Sequence, residues 1–513
     1  VIAHPRTLEE LGWPRILEAL AGRCRTAGGK GRAAALPFLD SPAEVREALA
    51  RLAEARTLSE ARTSLPISAP GDPAAALERA SKGGVLEPLA LRDIAVLARS
   101  AARTRAVLAA RETDLPRLWS LASSLSDAGR LADRIEAAIE PSGAISERAS
   151  PELSRLRDRS RGLHRAMKVQ VESMLGDETV SRHLRDGYFT IRNDRYVLPV
   201  LASSRSAVPG IVHNASQSGQ TLFVEPDGMV EMGNELAIAN AMAAEEEERI
   251  LRELSGGVTA RSADLARDLS TLSVLDLLEG QALLASDLDA SAPEVVTPAD
   301  GIWLRDLRHP ILVLQDKKVV SSDLRLEPPG RALVVSGPNG GGKTVAITAV
   351  GLSALMLQAG LPVAAGRGSR LPFYGSVRAA VEEHGDLSRD LSTFTAHLTA
   401  VRDIGAGAGS ATLVLVDEIA ADTDPREGAA LAAALLEDLL DRGATVLVTT
   451  HLDELKALAL SDTRFANARV GFDPDRLAPT FQLHLGSPGS SSAIEVARRV
   501  GLPEAILARA RAS

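Results

Sequence analysis

The run SGPNGGGKT, residues 336–344, holds the residues of this chain best suited to chemistry on a phosphate. Gly337, Pro338, Asn339, Gly340, Gly341, Gly342, Lys343 and Thr344 fit the pattern G-x-x-x-x-G-K-[ST]. Glycines in that spacing let successive backbone N–H groups wrap an anion. A helix opening at Lys343 would turn the positive end of its dipole on the same anion. The Lys343 ammonium would then hold β- and γ-phosphate oxygens, and the Thr344 hydroxyl would ligate Mg²⁺. An ordinary Gly-rich connection is the bland alternative. The context argues against it: the β-prone run RALVVS precedes the loop and the helical run VAITAVGLSALMLQ follows it.

A second group lies further along. In ATLVLVDE (411–418) a buried-strand pattern runs into Asp417 and Glu418. Asp417 is placed to hold Mg²⁺, usually through water, and Glu418 to act as general base by orienting water against a γ-phosphate. Alone, an Asp-Glu pair at a strand end is as well explained by the turn that follows; with the phosphate loop it reads as catalytic. His451 follows the next such strand, ATVLVTT, and from there can sense the γ-phosphate.

Stepping outward, these groups need a parallel sheet. From about residue 300 short apolar runs alternate with loops and helical patterns, as in an α/β domain. Residues 1–125 read as a helical core domain. In LDSPAEVREALARLAEARTLSEA (39–61), Ser41 can cap, Pro42 suits the first helical position, Glu44 sits three residues after Ser41, and Val45, Leu49, Leu52 and Ala55 share a face.

Residues 126–295 read as two long helices bracketing a small β element at about 187–226, an arm projecting from a body. Leu153, Leu156, Leu163, Met167, Val171 and Met174, with Ser160 in one slot, make one coiled-coil seam; Met229, Met232, Leu236, Ala239, Ala243 and Ile250 make another. The first helix carries Arg155, Arg157, Arg159, Arg161, Arg165 and Lys168, and the second is acidic at Glu245 to Glu248. Two readings compete: a solvated helix pair of opposite charge, or a stripe that tracks nucleic-acid phosphates. GSPGSSSA (486–493) lacks a Lys and reads as the start of a helix, and LFVEP (222–226) as core strand plus turn.

Bulk composition narrows the class. The chain has 513 residues, 45% hydrophobic and 24% charged, which fits several soluble domains. No apolar run approaches the roughly 20 residues that a membrane helix needs. The single Cys24 excludes an internal disulfide and fits a reducing cytoplasm. A formal net charge of −9 argues against a uniformly basic nucleic-acid binder, and 3% aromatics argue against a base-stacking platform. The first residue is not Met and the last lie inside a helical pattern, so the sequence reads as a piece of a longer one.

DLSTFTAHL (390–398), before the strand that ends in Asp417, makes the order of parts resemble the ABC-type ATPases. That resemblance implies that Ser392 serves the nucleotide of the partner subunit; by itself the segment also reads as a helix cap. GPNGGGKTV with Val345, STFTAHL, LVDEIAADTDPREGAALA and TTHLDELK then resemble the MutS ATPase domain. TIRNDRYVLPV, GIVHNASQSGQTLFVEP, RHP (308–310) and LGSPGSSSAIEVARRVGLPEAI extend the likeness to almost the whole chain, most of all to the second bacterial branch, MutS-two.

The resemblance implies a multidomain fold: an all-α core and a coiled-coil lever and clamp arm, whose lever and clamp helices are those of 126–295, joined to an α/β P-loop ATPase domain of ABC type at 296–513. It implies a homodimer that uses ATP and Mg²⁺ and acts on branched DNA, suppressing recombination, or on collided ribosomes and their rRNA, with no membrane partner. Relatives of this branch usually add a C-terminal Smr domain with nuclease-like function, so nuclease activity is not assigned to these residues. A small-molecule phosphotransferase and an SMC-like structural ATPase are the alternatives. The phosphotransferase lacks a use for the signature segment and His451, and the arm is short for the SMC type.

The sequence departs from the family after the acids. Ala420, Ala421 and Asp422 stand where Gly-Ala-Gly is usual. Ala reaches positive φ at a cost of about 1–2 kcal/mol, so slower or differently gated hydrolysis is expected. VEEHGDLSRD (381–390) departs as well, which puts the loop upstream of Ser392 outside the family pattern.

Overall fold

A computed structural model describes residues 2–68, 71, 73–338, 341–381, 399, 402–419, 424–473, 478–487 and 501–512. Contacts divide the chain into two compact units. One comprises Ser68–Ala106 and Ser124–Thr271; the other comprises Val1–Ile67, Val107–Ser123 and Leu272–Ser513.

The first of these units is built on two long helices. Ser150 opens Pro151–Gly176: its hydroxyl accepts from the N–H groups of Glu152 (3.1 Å) and Leu153 (3.3 Å), and Pro151 occupies the first turn. The second helix is Asp227–Thr259. Leu153, Leu156, Met167 and Val171 are buried on the first; Met229, Leu236, Ala239, Ala243 and Ile250 are buried on the second. Where the polar Ser160 interrupts the apolar series, its hydroxyl bonds Asn240 Oδ1 at 2.7 Å.

Between the helices lies a sheet of β1 (Thr190–Arg192), β2 (Arg195–Leu201), β3 (Gly210–Ala215) and β4 (Thr221–Pro226), antiparallel in the order β1-β2-β4-β3. Its buried face, with Leu198, Val200 and Val224, packs on Met167, Val171, Met229 and Leu236. LFVEP lies wholly within β4, so the strand expected there is present, while in place of the expected turn the chain passes straight into the helix at Asp227. Glu225 of β4 is buried and accepts from Arg195 (3.1 Å), with His213 Nε2 at 2.7 Å.

The other unit holds helices and two sheets. Pro42–Glu60 begins as its sequence demands: Ser41 Oγ accepts from Glu44 N–H at 3.3 Å, while Glu44 reaches back to Asp40 N–H (3.0 Å) rather than to Ser41. Strands β5 (Glu294–Val296), β6 (Ile302–Leu307), β7 (Ser322–Leu326) and β9 (Arg370–Pro372) form one sheet, with β8 (Ala332–Ser336) in the other. That other sheet runs β10-β11-β12-β8-β13-β14, adding β10 (Ser376–Ala380), β11 (Thr412–Val416), β12 (Thr445–Thr450), β13 (Phe465–Asp473) and β14 (Ala478–Leu485). All its described pairings are parallel except β13 with β14.

Every residue of β8, β11 and β12 is buried, as expected of strands covered on both faces. Alternate side chains feed two cores. Leu333, Val335, Leu413 and Leu415 pack with the helix Lys343–Gln358; Ala332, Val334, Val414 and Val416 pack with Pro425–Asp441 and Asp453–Ser461. The outer edge of β10 is closed by the start of the chain. Val377 N–H donates to Ile2 O (2.8 Å), Ala379 N–H to Thr7 Oγ1 (3.4 Å) and Val381 N–H to Glu10 Oε2 (3.2 Å). Among the described residues no helix is long and apolar enough to cross a membrane.

Candidate nucleotide-binding site

Because β8, β11 and β12 are parallel neighbours, their carboxyl ends deliver Gly337, Asp417 and His451 to one rim of the sheet. Ligands bind at such a rim where the order of strands reverses. Gly337 leaves β8 with φ +141°, and Gly342 caps the helix Lys343–Gln358 with φ +96°, both in the region glycine tolerates. A Cβ on Gly342 would come within 3.1 Å of the Phe481 ring. Pro338 and Gly341 are described, and Gly341 N–H donates to Pro338 O at 3.1 Å. Asn339 and Gly340 lie outside the described residues.

Lys343 is buried, with its ammonium 3.0 Å from Gly337 O and 3.5 Å from Glu418 Oε1. A buried ammonium with a carbonyl and a carboxylate oxygen in reach is set to accept other oxygens in their place. Thr344 Oγ1 donates to Asp417 Oδ2 at 2.6 Å, so the two oxygen donors expected to hold Mg²⁺ already converge. Hard oxygen ligands at the head of a helix suit Mg²⁺ on a phosphate chain. Asp417 is buried, and its N–H donates to Ala380 O at 2.9 Å. Glu418 has φ +47°, a strained value for a residue with a Cβ, and its N–H donates to Thr449 Oγ1 at 2.8 Å. His451 is exposed one residue beyond β12. Ser392, the stretch 382–390, Ala420, Ala421 and Asp422 lie outside the described residues.

The sequence did not point to a cavity of about 180 Å³ beside Gly342. Val319, Val320, Val345, Phe481, Leu483 and His309 are among its lining. Phe481 is half exposed with φ +59°, and Ser322 ties its strand by accepting from Leu483 N–H at 3.0 Å. Burial pushes the His309 imidazole down to about 4. These linings come from three separated segments without a shared pattern. The one available signal was an outlying Phe in a chain with only eight. Thr449 was also missed, since a Thr in a β-branched strand carries no mark of its own.

Four of the five arginines of the first long helix are matched to acids. Arg155 pairs with Glu152, Arg161 with Glu147 and Asp158, Arg157 with Glu247 (2.7 Å), Arg159 with Glu235 (3.1 Å) and Lys168 with Glu172 (3.9 Å). Arg165 Nε donates to Arg161 O at 3.4 Å. In the facing acidic run, hydrogen bonds from Arg249 and then Ser150 pull Glu246 down to about 2. Two of the pairs, Arg157 with Glu247 and Arg159 with Glu235, cross to the second long helix; the others stay within the first helix or reach Glu147 just before it.

A multidomain mixed α/β chain with acids at the ends of parallel strands is the class these features define, and residues 333–513 match the profile of MutS domain V. Over 99% of its length the chain is 70% identical to Endonuclease MutS2 of Anaeromyxobacter sp. (strain Fw109-5), 38% to that of Pelotomaculum thermopropionicum and 39% to that of Symbiobacterium thermophilum. It spans 64%, 64% and 63% of those relatives' own lengths. The chain belongs to the MutS family, on its MutS2 branch.

Proposed function

We propose that this chain binds and hydrolyses ATP with Mg²⁺ as the engine of a homodimeric clamp, acting in the cytoplasm on branched DNA or on collided ribosomes. The observation that carries the reading is the convergence of Lys343, Thr344, Asp417 and Glu418 at the ends of β8 and β11.

In this reading Lys343 leaves the Gly337 carbonyl for a β- or γ-phosphate oxygen. The Thr344 hydroxyl and the Asp417 carboxylate, now bonded to each other, would be the groups that hold Mg²⁺, Asp417 through water. Mg²⁺ when bound neutralises charge on the β- and γ-oxygens. Glu418, released from Lys343, accepts a hydrogen bond from the attacking water and aligns it with the γ-phosphorus. His451 faces the same oxygens from the end of β12. The apolar cavity beside Gly342 suits a purine, with the Phe481 ring offering a face to stack on. Ser392 of the partner subunit completes the site, so ATP joins the two copies and hydrolysis releases them. The lever and clamp helices would carry that change to the target, and the Arg155 to Lys168 stripe would meet phosphate by exchanging its exposed acidic partners, pairs worth little in water. The word endonuclease in the relatives' names describes those longer proteins; none of these steps cuts a nucleic acid.

The test is nucleotide binding and turnover in three purified forms. Lys343→Ala should lose at least tenfold in ATP affinity. Glu418→Gln should keep binding and lose about 10²-fold or more in turnover. Turnover unchanged in Lys343→Ala would overturn the reading. A pull-down with a non-hydrolysable ATP analogue, scoring branched DNA against ribosomes, identifies the target.

A further inference from the structure

Thr449, next to last in β12, is fully buried among aliphatic neighbours, where a hydroxyl needs partners. It has them on both sides. Its Oγ1 donates to Asp417 Oδ1 and accepts from Glu418 N–H at 2.8 Å. A hydroxyl has one proton and two lone pairs, so both bonds form at once. The oxygens of Asp417 are thereby held by two different elements: Oδ2 by Thr344 at the head of the helix, Oδ1 by Thr449 at the end of the neighbouring strand.

These two bonds are not equivalent. The Mg²⁺ reading above takes the Thr344 hydroxyl away as a ligand. Thr449 would then be the side chain that still holds Asp417 Oδ1 and so fixes the carboxylate. The same oxygen anchors the backbone of Glu418, whose φ of +47° is a conformation that side chains with a Cβ resist. One hydroxyl therefore ties the metal acid to the water-orienting residue, two positions before His451 on the same chain.

We propose that Thr449 is a positioning residue of the ATPase site, setting the Asp417 carboxylate for Mg²⁺ and fixing the backbone of Glu418. The inference rests on the nucleotide reading of this site. Val has nearly the shape of Thr without the hydroxyl, and Ser has the hydroxyl without the methyl, so the pair separates hydrogen bonding from packing.

The experiment measures affinity for a fluorescent ATP analogue on the whole chain, once with Mg²⁺ and once with EDTA, for the native protein, Thr449→Val and Thr449→Ser. Melting temperature is recorded for each. In Thr449→Val the EDTA affinity should stay native while the enhancement by Mg²⁺ falls about tenfold or more, the usual effect of losing the support of a metal ligand. Thr449→Ser should restore most of the enhancement, and turnover should follow the same order. An undiminished enhancement in Thr449→Val overturns the proposal. So does a loss in Thr449→Ser as large as in Thr449→Val, because packing would then be the cause. If the native protein binds no nucleotide with or without Mg²⁺, the ATPase reading itself fails and this inference falls with it.

Discussion

At the residue scale the chain buries groups where ionisation is expensive. His309, in the RHP run, lines the cavity beside Gly342, and its Nδ1 has no hydrogen-bond partner among the described residues. Burial holds its pKa down to about 4, against about 6.5 in an unfolded chain. Between those values the unfolded chain binds a proton that the folded one refuses, so folding weakens as pH falls. The contribution of neutral His309 is whole above about pH 6.5 and lost on the way down to pH 4, on the order of 3 kcal/mol in all. His309→Gln should therefore flatten part of the fall in melting temperature between pH 7 and pH 4.5. Scanning fluorimetry of both forms across that range checks it, and parallel curves would show that His309 does not set the slope. Burial likewise pushes the Cys24 thiol up to about 12, which makes it an inert core group.

At the scale of elements, the chain's first residues complete a sheet formed near its end. Thr7 and Glu10 satisfy two edge N–H groups of the segment 377–381, at sequence separations of 372 and 371. The double variant Thr7→Val, Glu10→Met should cost about 1–2 kcal/mol, and hydrogen exchange should quicken at Ala379 and Val381 before it does in β8 or β12. Uniform exchange along the sheet would sink that expectation. The arm offers a second case: Met167→Ala opens a hole between helix and sheet and should cost about 2–5 kcal/mol. Early cleavage between 177 and 226 in limited proteolysis would report it, and an unchanged digest would count against it. What was legible in sequence follows from this contrast. Strand, glycine loop and helix are neighbours in the chain, and so are Ser41 and Glu44; the seams repeat at helical spacing. The sheet edge, the Val319–Phe481 cavity and the Thr449 bridge join residues far apart, and no local period marks them. The basic stripe was half legible: its arginines and the acidic run Glu245 to Glu248 were plain, but the particular pairs, Arg157 with Glu247, Arg159 with Glu235 and Arg161 with Glu147, emerge only with the packing.

At the scale of the whole molecule, the proposed site of one chain depends on a second copy. A formal net charge of −9 works against spontaneous association of two copies and against loose binding to any nucleic acid. On the function proposed above, nucleotide supplies the contact. If Ser392 of the partner subunit closes each site, dimer population is set by how long ATP survives. Light scattering should find Lys343→Ala monomeric with or without ATP and Mg²⁺, the native chain dimeric only while ATP lasts, and Glu418→Gln dimeric for far longer. A dimer fraction independent of nucleotide in all three forms would refute composite sites. The loop after the acids sharpens the test. Ala420 and Asp422 stand where relatives are expected to carry glycine, a difference of about 1–2 kcal/mol if those positions need positive φ. Restoring glycine at both should raise turnover roughly 5- to 30-fold, the kinetic equivalent of that energy. In the Glu418→Gln background, where hydrolysis is blocked, the same change should leave the dimer fraction as it was. A rise in dimer fraction there would assign the loop to assembly; faster turnover alone would assign it to gating of the hydrolytic step.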